Sequence, residues 1–200
     1  HVDTKDRVKL AREIQAAAKA ASDKIVSATG SCSDSHDEMV RVHSNGFMGG
    51  VRGTRFDASA EVTVQDESGS RPDDYCSATT RFRSDLPSAE ALGREAAERA
   101  LAKLGQRKIA SGQYACLIEN RAGRRLLRIL QEPLSGRGLQ QKSSFLDGLM
   151  HQQVGSSLLT MIDDPAIEKG LASSYFEDEG LASKRLPIFE NGVLQNYYVD

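Results

Sequence analysis

The sequence predicts an α+β fold that contains parts of two domains. Two segments of the first half carry apolar residues at helical spacing, and the segment between them alternates polar and apolar residues. No regular strand–helix–strand alternation follows, which argues against a parallel α/β sheet. We therefore expect antiparallel or mixed sheets with a few packed helices. A chain of 200 residues is long enough for one domain of fair size or for parts of two.

Helices are predicted over residues 4–21 and 88–104. Their apolar stripes recur every three to four positions: Leu10, Ile14, Ala17, Ala18 and Ala21 in the first, and Leu92, Ala96, Ala100 and Leu104 in the second. Asp3 or Thr4 can cap the first helix, and Ser88 can cap the second. Gly105 suits the position after the end of a helix.

Three strands are predicted between these helices. They cover residues 39–42, 51–65 and 75–83, and turn-rich segments separate them. Consecutive strands with short connections favour an antiparallel meander. The preceding stretch 27–37 is rich in Ser, Asp and Gly, and it is predicted as a polar, turn-rich connection.

The second half begins after a linker at residues 105–112. We place a domain boundary there, with 1–107 as the end of an N-terminal α+β domain and 108–200 as the start of a C-terminal β-rich domain. The elements expected in this half are a short buried strand at 114–118, a helix at 121–131 that Pro133 stops, a helical turn at 144–150, a strand at 158–162 and a loop-like segment at 168–183.

A β-hairpin is predicted around Asn191-Gly192. Apolar-rich runs at 186–190 and 193–199 flank this pair. Asn-Gly fits a two-residue type I′ turn because both of its residues can adopt positive φ.

Composition excludes several classes of function. The formal net charge of −2 argues against a strongly basic nucleic-acid binder, and no apolar run approaches the ~20 residues of a membrane span. Cys32, Cys76 and Cys116 are far apart and form no C-x-x-C pair, so a reducing, cytoplasmic location is expected. Both chain ends resemble cut ends, and we expect a fragment of a longer protein.

Few catalytic motifs are present. The sequence contains no H-E-x-x-H, no G-x-S-x-G and no phosphate-binding glycine loop. Cys116 is predicted to be a buried small hydrophobic residue. Cys116 and the acidic runs at 163–164 and 177–179 leave open a stand-alone hydrolase that uses a cysteine or a carboxylate. The activity of such an enzyme would resist chelators.

The predicted helix at 121–131 carries the most unusual pattern. Its four arginines, at i, i+3, i+4 and i+7, share one face: Arg121, Arg124, Arg125 and Arg128. Glu132 can offset Arg128. One interpretation is a surface that binds an acidic partner or a carboxylate. The other is a solvated or internally paired face, the more common outcome for surface charges.

Three segments of the second half resemble the TldD/PmbA family. They occur in the family's order: Leu158–Pro165 with its Asp-Asp-Pro turn, Ser174–Gly180 with its acidic loop, and Pro187–Leu194 with its Asn-Gly hairpin. The similarity is good from about Tyr114 onward and looser before it. The chain would then cover less than half of a full-length member.

The resemblance implies a non-catalytic chain. TldD-like members carry a zinc-binding His-Glu-x-x-x-His helix, whereas PmbA-like members, also called TldE, lack it. Glu119 and Arg124 stand here at the histidine positions and Asn120 at the glutamate position, and arginine has no acceptor for a metal. The resemblance therefore implies no catalytic residue and no metal ligand in this chain.

The resemblance also implies partners. A TldD-like zinc protease subunit would join this chain in a cytoplasmic homo- or hetero-oligomer that degrades unfolded or modified peptides. The four arginines would then contact the partner or the peptide. An alternative is a regulatory binding protein that acts on DNA gyrase control without proteolysis, although the net charge of −2 argues against direct DNA contact.

Overall fold

The computed structural model describes residues 2–199, whose contacts form two compact units. The first unit contains the residues up to Ile109 together with Glu168–Leu181, and the second contains Ala110–Ile167 and the residues from Ala182 onward. Both units combine helices with antiparallel strands, so the predicted α+β class is confirmed. No helix within residues 2–199 is long and apolar enough to cross a membrane.

The first unit packs two helices on a three-stranded antiparallel sheet. The helices are α1 (Thr4–Lys19) and α2 (Ala89–Leu101), and the strands, in spatial order, are β1 (Ile25–Val42), β2 (Met48–Val64) and β3 (Asp73–Thr80). A short 3₁₀ turn, Arg83–Asp85, precedes α2. The predicted meander is therefore observed.

Small side chains bring the two helices close to the sheet. The buried core residues are Ile14, Ala18, Ala28, Ala58, Ala60, Val62, Val64, Cys76, Leu92, Ala96, Ala97 and Ala100. Gly93 of α2 lies against α1, where a Cβ would be 2.6 Å from the Ile14 carbonyl oxygen. Alanine and glycine at these positions allow the backbones to approach each other.

The prediction of a turn-rich connection at 27–37 was wrong, because this stretch forms the middle of β1. Each of its residues pairs with β2, from Ser27 opposite Thr63 to Asp37 opposite Gly53. Ala28 faces the core, while serine and threonine side chains occupy the other face of the sheet. The polar residues that are typical of turns form the solvent-facing side of a strand here.

The β1–β2 hairpin extends well past the core. Between Thr29 and Asp57, no residue is buried. The hairpin closes at Ser44–Gly46, where Gly46 has a φ of 94° and His43 N donates to Phe47 O at 2.9 Å. A positive φ at this position suits glycine, which has no Cβ to clash.

The second unit is smaller. Its elements are α3 (Asn120–Leu134), α4 (Gly136–Gln140), β4 (Met161–Asp163), β5 (Leu186–Glu190) and β6 (Val193–Leu194). A compact cluster forms its core: Leu134, Leu146, Ile188, Phe189 and Leu194. Asn191 and Gly192 have φ values of 51° and 82°, which confirms the predicted hairpin turn between β5 and β6.

Several predictions for this unit were wrong. Residues 114–118 form no strand, and Leu117 is 98% exposed. No segment within residues 2–199 pairs with them, so these apolar residues take part in no sheet. Cys116 is exposed rather than buried. The segment 144–150 forms hydrogen-bonded turns, in keeping with the predicted turn, whereas the next strand occupies 161–163 instead of 158–162. Pro133 lies inside the last turn of α3, where its missing N–H removes a single helical hydrogen bond.

Candidate functional site

The N-terminus of α3 contains the positions that the sequence resemblance singled out. Glu119 is the N-cap residue, and its side chain makes no capping hydrogen bond. Its carboxylate instead accepts a hydrogen bond from Arg121 Nε at 3.1 Å. The first turn of the helix therefore begins with an acid–base pair rather than with a cap.

The four arginines of α3 lie together on one exposed face, as their spacing predicts: Arg121, Arg124, Arg125 and Arg128. Within residues 2–199, the last three take part in no ion pair. The predicted pair between Arg128 and Glu132 is not formed. Glu132 instead uses its backbone carbonyl to accept hydrogen bonds from Ser135, which ends the helix.

The opposite, apolar face of α3 is covered only toward its C-terminus within residues 2–199. Pro133 and Leu134 are buried, whereas Leu126, Leu127 and Ile129 are 45%, 49% and 65% exposed. The helix is therefore held at its C-terminal end, and it presents a cationic surface from Arg121 to Arg128 and an apolar surface from Leu126 to Ile129. Such a surface suits a partner that combines acidic and apolar groups.

The charge order of α3 is unfavourable for a helix on its own. The first turns of α1 and α2 carry acids and their last turns carry bases: Asp6 and Lys19, then Glu90 and Arg99. The first turn of α3 has no acid, and Arg121 lies there. A cation at the positive end of the helix dipole is destabilising, and the Glu119 carboxylate at the N-cap position offsets Arg121 there. Guanidinium groups bind carboxylates in a bidentate manner.

The residues at the family's zinc positions do not fit a metal. Of Glu119, Asn120 and Arg124, arginine offers donors and no acceptor, and Glu119 already binds Arg121. Across residues 2–199, no group of three or more His, Cys, Asp and Glu side chains could hold a metal ion. We therefore derive no catalytic step through zinc in this chain.

The acidic run at 177–179 lies in the first unit, on the tip of the β1–β2 hairpin. Arg41 Nη1 contacts Asp178 Oδ1 at 2.6 Å and donates to the Glu177 carbonyl at 3.2 Å. His43 Nδ1 lies 3.0 Å from the Glu179 carbonyl oxygen. These contacts hold the backbone of the run and leave the Asp178 side chain 98% exposed.

Aromatic and cationic contacts complete the attachment of this segment, Glu168–Leu181, which we call the strap. Phe176 packs edge-on against Phe47, with ring centroids 5.1 Å apart. At the other end, Arg81 Nη2 donates to the Gly170 and Leu171 carbonyls, and Lys169 pairs with Asp85 at 2.9 Å. Sequence analysis missed all of these contacts, and no local pattern could have revealed them because the paired residues are far apart in the chain.

The Lys169–Asp85 pair makes the attachment of the strap sensitive to acid. The hydrogen bond from Lys169 and its positive charge lower the pKa of Asp85. A lowered carboxyl pKa gives stability that is present above the ordinary pKa and is lost as the pH falls through the lowered value.

Replacement of Asp85 by Asn is therefore expected to lower the melting temperature slightly at pH 7 and to lower it less at pH 3, where more of the Asp85 carboxylate is protonated. Thermal denaturation as a function of pH measures this. Asp23→Asn is the control, since Asp23 forms no ion pair within residues 2–199. An equal effect of Asp85→Asn at both pH values would show that the pair does not stabilise the protein.

Sequence profiles of two domains match nearly the whole chain. The PmbA/TldA metallopeptidase central domain matches residues 1–104, and the C-terminal domain of the same peptidases matches residues 111–200. The chain belongs to the TldD/PmbA family. Its predicted resemblance to this family is thereby confirmed, and it extends over the first half as well as the second.

Relatives with solved structures share the fold of this TldD/PmbA chain. A Bacteroides thetaiotaomicron protein, named as a candidate modulator of DNA gyrase, superposes with a TM-score of 0.92 at 34% identity over 100% of this chain and 45% of its own. TldE from Thermococcus kodakarensis superposes with a TM-score of 0.78 at 17% identity, over 100% and 45%. The latter likeness concerns the fold alone.

A curated relative gives the same picture. Metalloprotease PmbA of Escherichia coli O157:H7 is 29% identical over 197 residues, which are 98% of this chain and 44% of that protein. The chain thus spans less than half the length of the family members that it matches.

Proposed function

We propose that this chain belongs to a non-catalytic, PmbA/TldE-like subunit of a TldD/TldE-type metalloprotease complex that processes unfolded or modified peptides in the cytoplasm. The observation that carries the proposal is the residue set at the family's zinc positions, where Arg124 replaces a ligand and Glu119 binds Arg121. Family membership supplies the peptidase context. Zinc would be held by the TldD-like partner.

The arginine face of α3 would act in this complex as a binding surface. Its guanidinium groups are exposed, Arg124, Arg125 and Arg128 take part in no ion pair within residues 2–199, and apolar side chains lie beside it. These features suit an acidic surface of the TldD-like subunit or the carboxylates of a peptide in a shared chamber.

Peptide cleavage by the full-length protein tests the proposal. The assay is run alone, with a TldD-like partner, and with a chelator added to each. Cleavage only in the mixture, abolished by the chelator, is the expected result. Cleavage by the isolated protein that survives chelation would contradict the proposal and favour a stand-alone hydrolase.

Charge reversal on α3 tests the binding surface. The double variant Arg121→Glu and Arg125→Glu is expected to reduce partner binding or cleavage by roughly tenfold or more, because removal of a paired interface charge is costly. Titration of the partner with each variant measures this. Arg12→Glu with Arg137→Glu, two exposed arginines elsewhere, changes the net charge equally and serves as the control. Unchanged binding and cleavage in the α3 variant would exclude this surface.

The alternative function, a regulatory binding protein in DNA gyrase control, is supported by the name of the Bacteroides thetaiotaomicron relative. It predicts no cleavage in any mixture and a direct or indirect effect on supercoiling. If direct contact with DNA were involved, binding would weaken steeply as salt is raised.

A further inference from the structure

The strap is closed into a loop at its base. Strands β4 and β5 flank it in the sequence and pair with each other, with Asp163 opposite Leu186. Arg185 and Asp164 add an ion pair beside this position, with 3.5 Å between Nε and Oδ2. These four residues belong to the second unit, whereas the strap belongs to the first. Because its two ends are held together, docking of the strap costs less chain entropy than docking of a free segment would.

Two rings and two glycines fit the strap to the tip of the β1–β2 hairpin. Phe47 of the hairpin lies over Gly180 of the strap, where a Cβ would be 2.6 Å from the ring. Phe176 of the strap lies over Gly49 of the hairpin, where a Cβ would be 2.7 Å from the ring. Each glycine leaves the space that the opposite ring occupies, so the strap fits this one position closely.

One guanidinium group holds the other end of the strap. Arg81 donates to the carbonyls of Gly170 and Leu171 in the strap. It also donates to the Thr54 carbonyl of β2 at 3.3 Å. Gly53 provides the space, because a Cβ there would be 2.7 Å from Arg81 Nη1. A single charged side chain therefore joins the strap to the sheet, and hydrogen bonds from charged donors are the stronger ones.

Release of the strap would leave both hydrophobic cores intact. Among the residues of 2–199, neither core cluster includes a member of the strap. The contacts that attach the strap are hydrogen bonds, ion pairs and one pair of rings outside these cores. Local opening of such a segment requires less free energy than unfolding of a whole unit. The strap is therefore expected to have two states, docked and released.

We propose that the strap is a latch that docks and releases as a whole and thereby couples the two units. While β4 pairs with β5, the base of the strap is closed and the strap docks on the first unit. When this pair opens, the strap loses its closed base and is released, and the tip of the β1–β2 hairpin loses its support. By linkage, release of the strap also weakens the closure of its base. The latch goes beyond the proposed function and does not depend on it.

Hydrogen exchange in the full-length protein tests whether the latch moves as a whole. Gly49→Ala disturbs the ring packing at one end of the strap, and Arg81→Gln removes the guanidinium at the other. Either variant is expected to accelerate exchange about tenfold in both halves of the strap, 168–175 and 176–182, because release exposes them together. Residues 58–64 of β2 are expected to keep their wild-type rate, since the sheet stays folded.

Each variant has a matched control. Gly50→Ala adds the same methyl group to the neighbouring glycine, where the nearest atom to a Cβ is at 3.6 Å. Arg52→Gln removes an arginine of the same hairpin that pairs with Glu38 and not with the strap. Acceleration confined to the altered end, acceleration in neither variant, or equal acceleration in a variant and its control would overturn the latch.

The coupling between the units is tested from the second unit. Phe189→Ala weakens β5, which pairs with β4 and buries this ring in the core. Exchange at the hairpin tip, residues 43–50 of the first unit, is expected to accelerate roughly threefold or more while 58–64 stays unchanged. The milder Phe189→Leu is expected to act in the same direction. Phe145→Ala is the control, because Phe145 is 64% exposed in the second unit.

Two outcomes of this second experiment would contradict the coupling. One is a hairpin tip that exchanges at the wild-type rate in both Phe189 variants while the amides of β5 exchange faster. The other is the same acceleration of the tip in Phe145→Ala as in Phe189→Ala. In either case the strap would be attached to the first unit independently of its base.

Discussion

Replacement of Gly30 by Ala is expected to lower the free energy of unfolding by about 3 kcal/mol. A Cβ at Gly30 would lie 2.1 Å from the Ala11 carbonyl oxygen, 3.0 Å from its carbon and 3.1 Å from Gln15 N. These are backbone atoms of α1, which cannot rotate away as a side chain would. The helix must shift, and the shift disturbs the packing of Ile14 and the hydrogen bond from Gln15 to Ala28.

Gly50→Ala is the matched control in the same sheet. The nearest atoms to a Cβ there are Met39 O at 3.6 Å and Val40 Cγ2 at 3.9 Å, which are ordinary contacts. Alanine also restricts the unfolded chain, so this variant is expected to be as stable as the wild type or about 0.5–1 kcal/mol more stable. Urea denaturation of both variants measures the difference. If Gly30→Ala were as stable as Gly50→Ala, the close approach of α1 to β1 would be wrong.

Replacement of Phe189 by Ala is expected to destabilise the second unit by about 3–5 kcal/mol. Phe189 is 2% exposed and belongs to a core of only five buried residues within residues 2–199. A small core has few other side chains that can collapse into the cavity, so the loss of the ring is poorly compensated. Hydrogen exchange of the amides in β5 and β6 is expected to accelerate most.

Phe145→Ala is the control for the loss of an aromatic ring, because Phe145 is 64% exposed in the same unit. Its effect is expected to stay within about 0.5 kcal/mol, as for surface substitutions in general. Similar exchange rates in the two variants would mean that Phe189 does not organise this core.

The sequence predicts those elements whose signal is local. The helices α1 and α2 follow from their apolar spacing and caps, and the hairpin at Asn191-Gly192 follows from its two turn residues. The strand at 27–37 does not, because its serines become a strand face only once β2 lies beside it. The stretch 114–118 shows the opposite error. Its apolar residues predict a strand, but apolar residues form a strand only beside a partner strand.

The candidate site divides in the same way. The one-face arrangement of the arginines on α3 follows from their spacing alone. The pair of Arg41 with Asp178 depends on tertiary contacts between residues distant in sequence, as does the packing of Phe47 on Phe176. Glu132 lies at the right spacing for Arg128 but leaves it unpaired, because exposed ion pairs gain little free energy.

The position of the strap in the sequence determines when the first unit can finish folding during synthesis. Domains usually fold as units as they leave the ribosome, N-terminal first. Here the first unit remains without its strap until Leu181 has emerged, by which time most of the second unit has also been made. Until then the aromatic ring of Phe47 and the cation of Arg41 at the hairpin tip lack their partners. A nascent chain halted before Glu168 would expose this hairpin to chaperones and proteases.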